Sequence, residues 1–226
     1  MIKNSDYVPL HAHGETSFLD GRARHSEMVE HALAQGHEAL SLTDHDEVNG
    51  HISMWNLCKE AGIKFIPGAE QRWLHDVGES RKYATKGLDS SHIILLAQNN
   101  EGLKNLWTLS SLAYEPGNFY GKPQLHPELM RQHSSGLWAS DGCGLTRFAE
   151  FVENDQMDEA RQEWAVLLDI FGDHFYSELH TFQFIPTEER LLTDEEQQIT
   201  NKITKMNLAK VQFSQEMGVP LVVVND

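Results

Sequence analysis

The stretch Val8-Pro9-Leu10-His11-Ala12-His13 sets two imidazoles two residues apart behind an apolar pair. On a strand, residues i and i+2 leave the same face, so His11 and His13 can address one metal ion together. Asp20 follows within a short loop. Residues of metal-ligating type then recur at the edges of apolar runs. Asp44 and His45 end the run HEALSLT, Glu70 follows Pro67-Gly68-Ala69, His92 opens SHIILLAQ, Cys143 follows the run ending in Ser140, and Asp226 ends PLVVVND. In α/β folds, functional residues gather where strands meet loops. The chemistry that fits is metal-assisted hydrolysis of a phosphoester, in which divalent ions polarise the phosphoryl oxygen, activate water near neutral pH and stabilise the leaving oxygen. Imidazoles mixed with carboxylates suit zinc, manganese or iron, and a Cys143 thiolate favours zinc. Glu70 is the candidate for a carboxylate bridging two ions. Asp44 is the candidate for orienting the imidazole of His45.

Each position also has an ordinary reading. His92 could be a hydrogen-bonded core residue, and Asp44-His45 could cap the helix that follows. Glu70 could be a surface carboxylate, Cys143 a small buried apolar residue, and Asp226 only a chain end. Their joint occurrence at strand ends is what argues for a common site.

The elements that must position these residues alternate short apolar runs with amphipathic segments, the pattern of an α/β layout with a mainly parallel sheet or barrel. Strands are expected at 8–13, 37–43, 64–74 (broken by Pro67-Gly68), 91–98, 136–140, 175–180 and 220–226. Helices are expected at 25–35, with Ser26 as N-cap and Gly36 just past the end, and at 50–61, 99–112, 127–132, 146–152, 155–171 and 193–217. Residues 76–90 read as a polar loop. No repeat or linker divides the chain, so residues 1–226 read as a single domain.

The 226 residues include 18 Lys and Arg against 34 Asp and Glu, a formal net charge of −16. That excludes a general electrostatic clamp on DNA or on an anionic membrane, though bound cations could still present nucleic acid to the site. Two distant cysteines are no disulfide framework, and a reducing, cytoplasmic setting is expected. No apolar run approaches the roughly 20 residues of a membrane span. The 13 histidines are the compositional outlier and point to metal.

These segments resemble the PHP (polymerase and histidinol phosphatase) domain, in the version found at the N-terminus of bacterial C-family replicative polymerases, the DNA polymerase III alpha subunits. PLHAHGETSFLDG is similar to the family's first motif, LSLTDHDEVNG to its second and GIKFIPGAE to its third. SHIILLAQNNEGLKNLWTLSSLAY resembles the polymerase-type segment around the fourth, GKPQLHPELMRQHSSGLWASDGC the stretch leading to its cysteine, and FYSELH and GVPLVVVND also fit. The resemblance spans nearly the whole chain.

It implies a distorted (β/α)7 barrel with up to three divalent ions held by nine ligands at the C-terminal ends of the strands. Eight of the nine fall on His11, His13, Asp20, His45, Glu70, His92, Cys143 and Asp226. The ninth, a histidine two residues after Asp226, lies past the last residue, so the resemblance implies either a fragment of a longer polymerase, the favoured reading, or a truncated natural product. The implied activity is 3′→5′ exonucleolytic proofreading at a DNA primer end, in the company of downstream polymerase domains and no membrane. The alternatives are a catalytically silent metal-binding domain bracing the polymerase, or a free-standing phosphomonoesterase of the histidinol-phosphate type. The sequence departs from the family pattern at Gly14, where Ser is usual, and at Asp46, where Gly is usual. Asp46 adds a carboxylate beside His45, either as a further ligand or as a group repelling anions.

Overall fold

A computed structural model of the chain describes residues 7–18, 20–74, 91–119, 121–142, 144, 146–181, 184 and 190–224. Among the described residues six strands, β1 (Ala39–Leu42), β2 (Lys64–Trp73), β3 (Ser91–Ala97), β4 (Leu137–Ser140), β5 (Phe175–His180) and β6 (Leu221–Val224), form one curled sheet in sequence order, a half-barrel. Seven α-helices accompany them among the described residues: α1 (His25–Gln35), α2 (His51–Ala61), α3 (Asn100–Ala113), α4 (Pro127–Gln132), α5 (Arg147–Glu153), α6 (Met157–Phe171) and α7 (Asp194–Met217).

The sheet is mainly parallel, as expected, with one strand reversed. β3 runs antiparallel to both β2 and β4, while the β1–β2, β4–β5 and β5–β6 pairs are parallel. Hydropathy period gives a strand's faces but not its direction. The reversal bears on the site, because the first residues of β3 lie at the same edge as the last residues of the parallel strands.

The seventh expected strand, at 8–13, is not a regular one. It still lies along β1, with Ser41 N donating to Pro9 O (3.1 Å) and Thr43 N to Ala12 O (2.8 Å). Three residues on one side oppose two on the other, an irregularity of bulge type, and Pro9 has no N–H to give. The expected break at Pro67-Gly68 does not occur. β2 passes through both residues but changes partner there: residues 64–67 pair with β1 and residues 68–73 with β3. Pro67 falls where no β3 residue opposes it, so its missing donor costs nothing on that side.

Gly68 is required at the crossover, since a Cβ there would come within 2.6 Å of Leu96 Cδ2 and 2.9 Å of the Leu95 carbonyl oxygen. Gly68→Ala should therefore destabilise by about 1–3 kcal/mol through overpacking, read as a lowered denaturant midpoint with unchanged slope. An unchanged midpoint would show that β2 and β3 can part at no cost.

Helix α1 spans His25–Gln35 as expected, but its cap differs. Arg24, not Ser26, is the N-cap, its N–H donating to Glu27 Oε2 at 2.9 Å, while Gly36 closes the helix at φ 75° as expected. α7 opens with the Thr193/Glu196 capping box. The main core packs α3 to α7 on the sheet around fully buried Trp164, which stacks on Phe148 with centroids 5.5 Å apart and meets Phe213 edge-on. A smaller cluster, Val29, Ala32, Leu40, Leu42, Met54 and Cys58, seats α1 and α2 against β1. Among the described residues no helix is long and apolar enough to cross a membrane. The expected loop at 76–90 lies outside the described residues.

Candidate metal centre

Glu70 is the hub. Its side chain is 1% exposed. Its Oε2 lies 3.1 Å from His11 Nε2, 3.0 Å from His13 Nε2 and 3.4 Å from His45 Nδ1, and its Oε1 lies 2.5 Å from His92 Nδ1. The i, i+2 argument holds, because His11 and His13 bring their Nε2 atoms within 3.2 Å of each other. His92 arrives as the second residue of the reversed strand. His45 reaches the hub through a parallel bridge between its backbone and that of Glu70. Asp20 closes the outer side, with Oδ2 3.7 Å from both His13 Nδ1 and His45 Nε2. Its loop folds tightly enough that a Cβ on Gly21 would sit 1.9 Å from the Gly14 carbonyl oxygen.

Burial alone would raise the Glu70 carboxyl, but hydrogen bonds from His11, His13 and His92 hold it well below the usual carboxylate range. For His11, burial opposes protonation, and the Glu178 and Glu70 carboxylates outweigh it and push its pKa well up. His45 is lowered, chiefly by burial, with Glu70 opposing and His13 and His92 adding to the fall.

The donor set fits a divalent cation. His11 Nδ1 faces Glu178 Oε2 at 2.8 Å, which fixes that nitrogen as the proton carrier. The Nε2 of a neutral His11 then points a lone pair at Glu70 Oε2, and lone pair against lone pair at 3.1 Å calls for positive charge between them. Either a proton or a metal ion supplies it. His11/His13/Glu70, His13/Asp20/His45 and His45/Glu70/His92 each bring one ligand atom per residue within 4.8 Å of the others. Two imidazoles with a carboxylate is ligand chemistry suited to zinc, manganese or iron.

Asp44 stands apart from this ring. Its carboxylate accepts from Gly14 N at 2.8 Å and from the Thr16 hydroxyl, so it fixes the loop between His13 and Asp20. Cys143 and Asp226 lie outside the described residues. Asp46 pairs with Arg72.

Sequence reasoning missed the layer beneath the ring. Glu178 on β5 is fully buried; it accepts from His11 Nδ1 on Oε2 and from the Ser140 hydroxyl on Oε1 at 2.5 Å, with His180 Nε2 3.5 Å from Oε2. Asp141 accepts from Trp164 Nε1 (3.0 Å), Ser177 Oγ (2.8 Å) and Glu178 N (3.1 Å), and pairs with fully buried Lys210 Nζ at 3.1 Å. The available signal was alternation: in FYSELH, Tyr176, Glu178 and His180 share one strand face, an unusual polar content for a buried strand.

A half-barrel with imidazoles and carboxylates gathered at one rim is an α/β domain of the kind that holds metal at its strand ends. The family described as "PHP domain" matches residues 9–182. The chain belongs to that family. Its curated relatives include DNA polymerase III subunit alpha of Chlamydia trachomatis, 32% identical over 97% of this chain and 18% of the relative. The same subunit of Borreliella burgdorferi is 31% identical over 100% of this chain and again 18% of the relative. The chain thus spans about a fifth of the length of these relatives. Among solved structures, a Bifidobacterium adolescentis protein proposed to be a metal-dependent phosphoesterase aligns with TM-score 0.44 at 11% identity, over 96% of this chain and 86% of that one.

Proposed function

We propose that residues 1–226 are one domain at the N-terminus of a DNA polymerase III alpha subunit, and that its centre hydrolyses phosphodiesters from the 3′ end of a DNA primer. The observation that carries this reading is the convergence of His11, His13, His45 and His92 on Glu70 at one strand-end rim, in a chain whose relatives are replicative polymerases. Asp20 is the outer ligand, and Cys143 and Asp226 complete the proposed set.

A bound divalent cluster would supply Lewis acidity toward the phosphoryl group and lower the pKa of water. The chain's own residues do the rest. His11, His13, His45 and His92 present ring nitrogens in fixed directions. Glu70 faces all four rings with one carboxylate and would hold the cluster together with them. Glu178 accepts the hydrogen bond of His11 Nδ1–H, so that the ring's other nitrogen faces inward. Asp44 holds the loop 14–16, and through it the spacing between His13 and Asp20. No nucleophilic side chain is needed. The expected setting is cytoplasmic, with DNA and the downstream polymerase domains as partners.

The test is cleavage of a 3′-recessed primer by the purified chain with manganese or zinc, before and after chelation. His13→Ala should lose at least about 100-fold in rate, since loss of even an outer-shell partner can reach that figure. Equal cleavage by wild type and variant would defeat the catalytic reading. Metal binding with raised thermal stability but no cleavage would favour a brace for the polymerase instead.

A further inference from the structure

Arg72 lies two residues past Glu70 on β2, so both side chains leave the same face of the strand. It is directly opposite His92 in the β2–β3 register, and His92 bonds Glu70. Directly opposed residues on antiparallel strands are side-chain neighbours. The fold therefore delivers a guanidinium to the edge of the metal ring, in a chain of formal net charge −16. Its carboxylate partner is Asp46, the residue after His45.

Asp46 carries two conformational costs. Its φ is +59°, in the left-handed region that non-glycine residues enter at a penalty. Its Oδ1 is buried without a hydrogen-bond partner. Backbone requirements do not call for a side chain here; glycine would satisfy them at lower cost. What the aspartate adds is a charge set against Arg72.

From this juxtaposition we infer that Arg72 is the contact for a substrate phosphate at the rim of the ring, and that Asp46 occupies it in competition with that phosphate. A guanidinium fork matches phosphate oxygens as it matches a carboxylate, so binding exchanges one anion for another. Asp46 thereby sets how strongly phosphate-bearing ligands are held. This rests on the phosphodiesterase reading for the identity of the ligand, but not for its own test.

The test titrates inorganic phosphate into the zinc-loaded and the chelator-treated 226-residue chain by calorimetry. Arg72→Gln should weaken phosphate binding at least 10-fold in the zinc-loaded protein, with zinc content unchanged. Asp46→Asn, which leaves the guanidinium in place, should tighten it 3- to 10-fold. Arg131→Gln, whose exposed side chain pairs with Asp169 on α6, serves as the surface control and should leave affinity unchanged. If Arg72→Gln does not fold, the tightening in Asp46→Asn decides alone. Unchanged or weaker phosphate binding in Asp46→Asn overturns the inference. Arg72-dependent phosphate binding without primer cleavage would overturn the nuclease reading and leave this one standing.

Discussion

Glutamine in place of Glu70 should strip the centre of metal while leaving the fold intact. Three imidazole nitrogens approach one of its carboxylate oxygens and a fourth approaches the other. An amide keeps the shape but removes the charge and turns one acceptor into a donor aimed at ring nitrogens. Metal affinity should fall by more than about 100-fold, the upper range for losing even an indirect partner. Chelator competition with zinc and elemental analysis read this directly. Full stoichiometry with unchanged affinity in the variant would show that Glu70 is not a ligand.

A second signature appears in chelator-treated protein. The Glu70 carboxyl is held below its ordinary value. Its ionised form therefore contributes stability that is fully present above the unfolded-state carboxylate pKa and is lost as pH falls through the folded-state value. Wild type should lose stability on acidification below about pH 4.3, the ordinary glutamate value. Glu70→Gln should lose less over the same interval.

The other large effect is expected at Glu178. Alanine there leaves the His11 Nδ1 proton and the Ser140 hydroxyl without their buried acceptor. Breaking a buried charged contact from one side costs about 3–5 kcal/mol. At this chain length that is on the order of 10 °C in midpoint. Glu178→Gln separates positioning from stability. It keeps the volume and one acceptor oxygen but cannot serve both His11 and Ser140 as the carboxylate does. Zinc affinity should drop about 10- to 100-fold with a much smaller change in midpoint. A loss of stability with no change in zinc affinity would mean that Glu178 braces the barrel and does not orient His11.

Much of this was readable from residue types alone, for reasons that can be named. α1, α2 and α4 fall where glycine stops, apolar spacing and Pro127 place them. The approach of His11 to His13 follows from strand geometry, and it survives the irregular pairing of residues 8–13 because that segment remains extended beside β1. The reversal of β3 was not readable, since alternation is the same in either direction. It nevertheless placed His92 where a ligand is needed, because in a reversed strand the first residues reach the rim that the last residues of its neighbours reach. The N-cap at Arg24 was missed because arginine is not a capping type; the Glu27 carboxylate does the capping from three residues inside the helix. The layer under the ring was missed because Glu178, Asp141 and Lys210 come from β5, the end of β4 and α7, and only tertiary packing joins them.

The antiparallel pairing of β2 with β3 has a consequence for how such a domain can diversify. Both ends of the connection, Trp73 and Ser91, lie at the rim occupied by the ring, and the strands they terminate are zipped by the register from Gly68 with Leu96 to Trp73 with Ser91. Loop-closure entropy grows by only about 0.6 kcal/mol for each doubling of loop length. New chain can therefore be spliced between these two strands, and will start and finish beside the chemistry, without shifting any residue that holds the ring. For a designer this is the grafting point: new surface can be added there while the residues of the ring stay as they are.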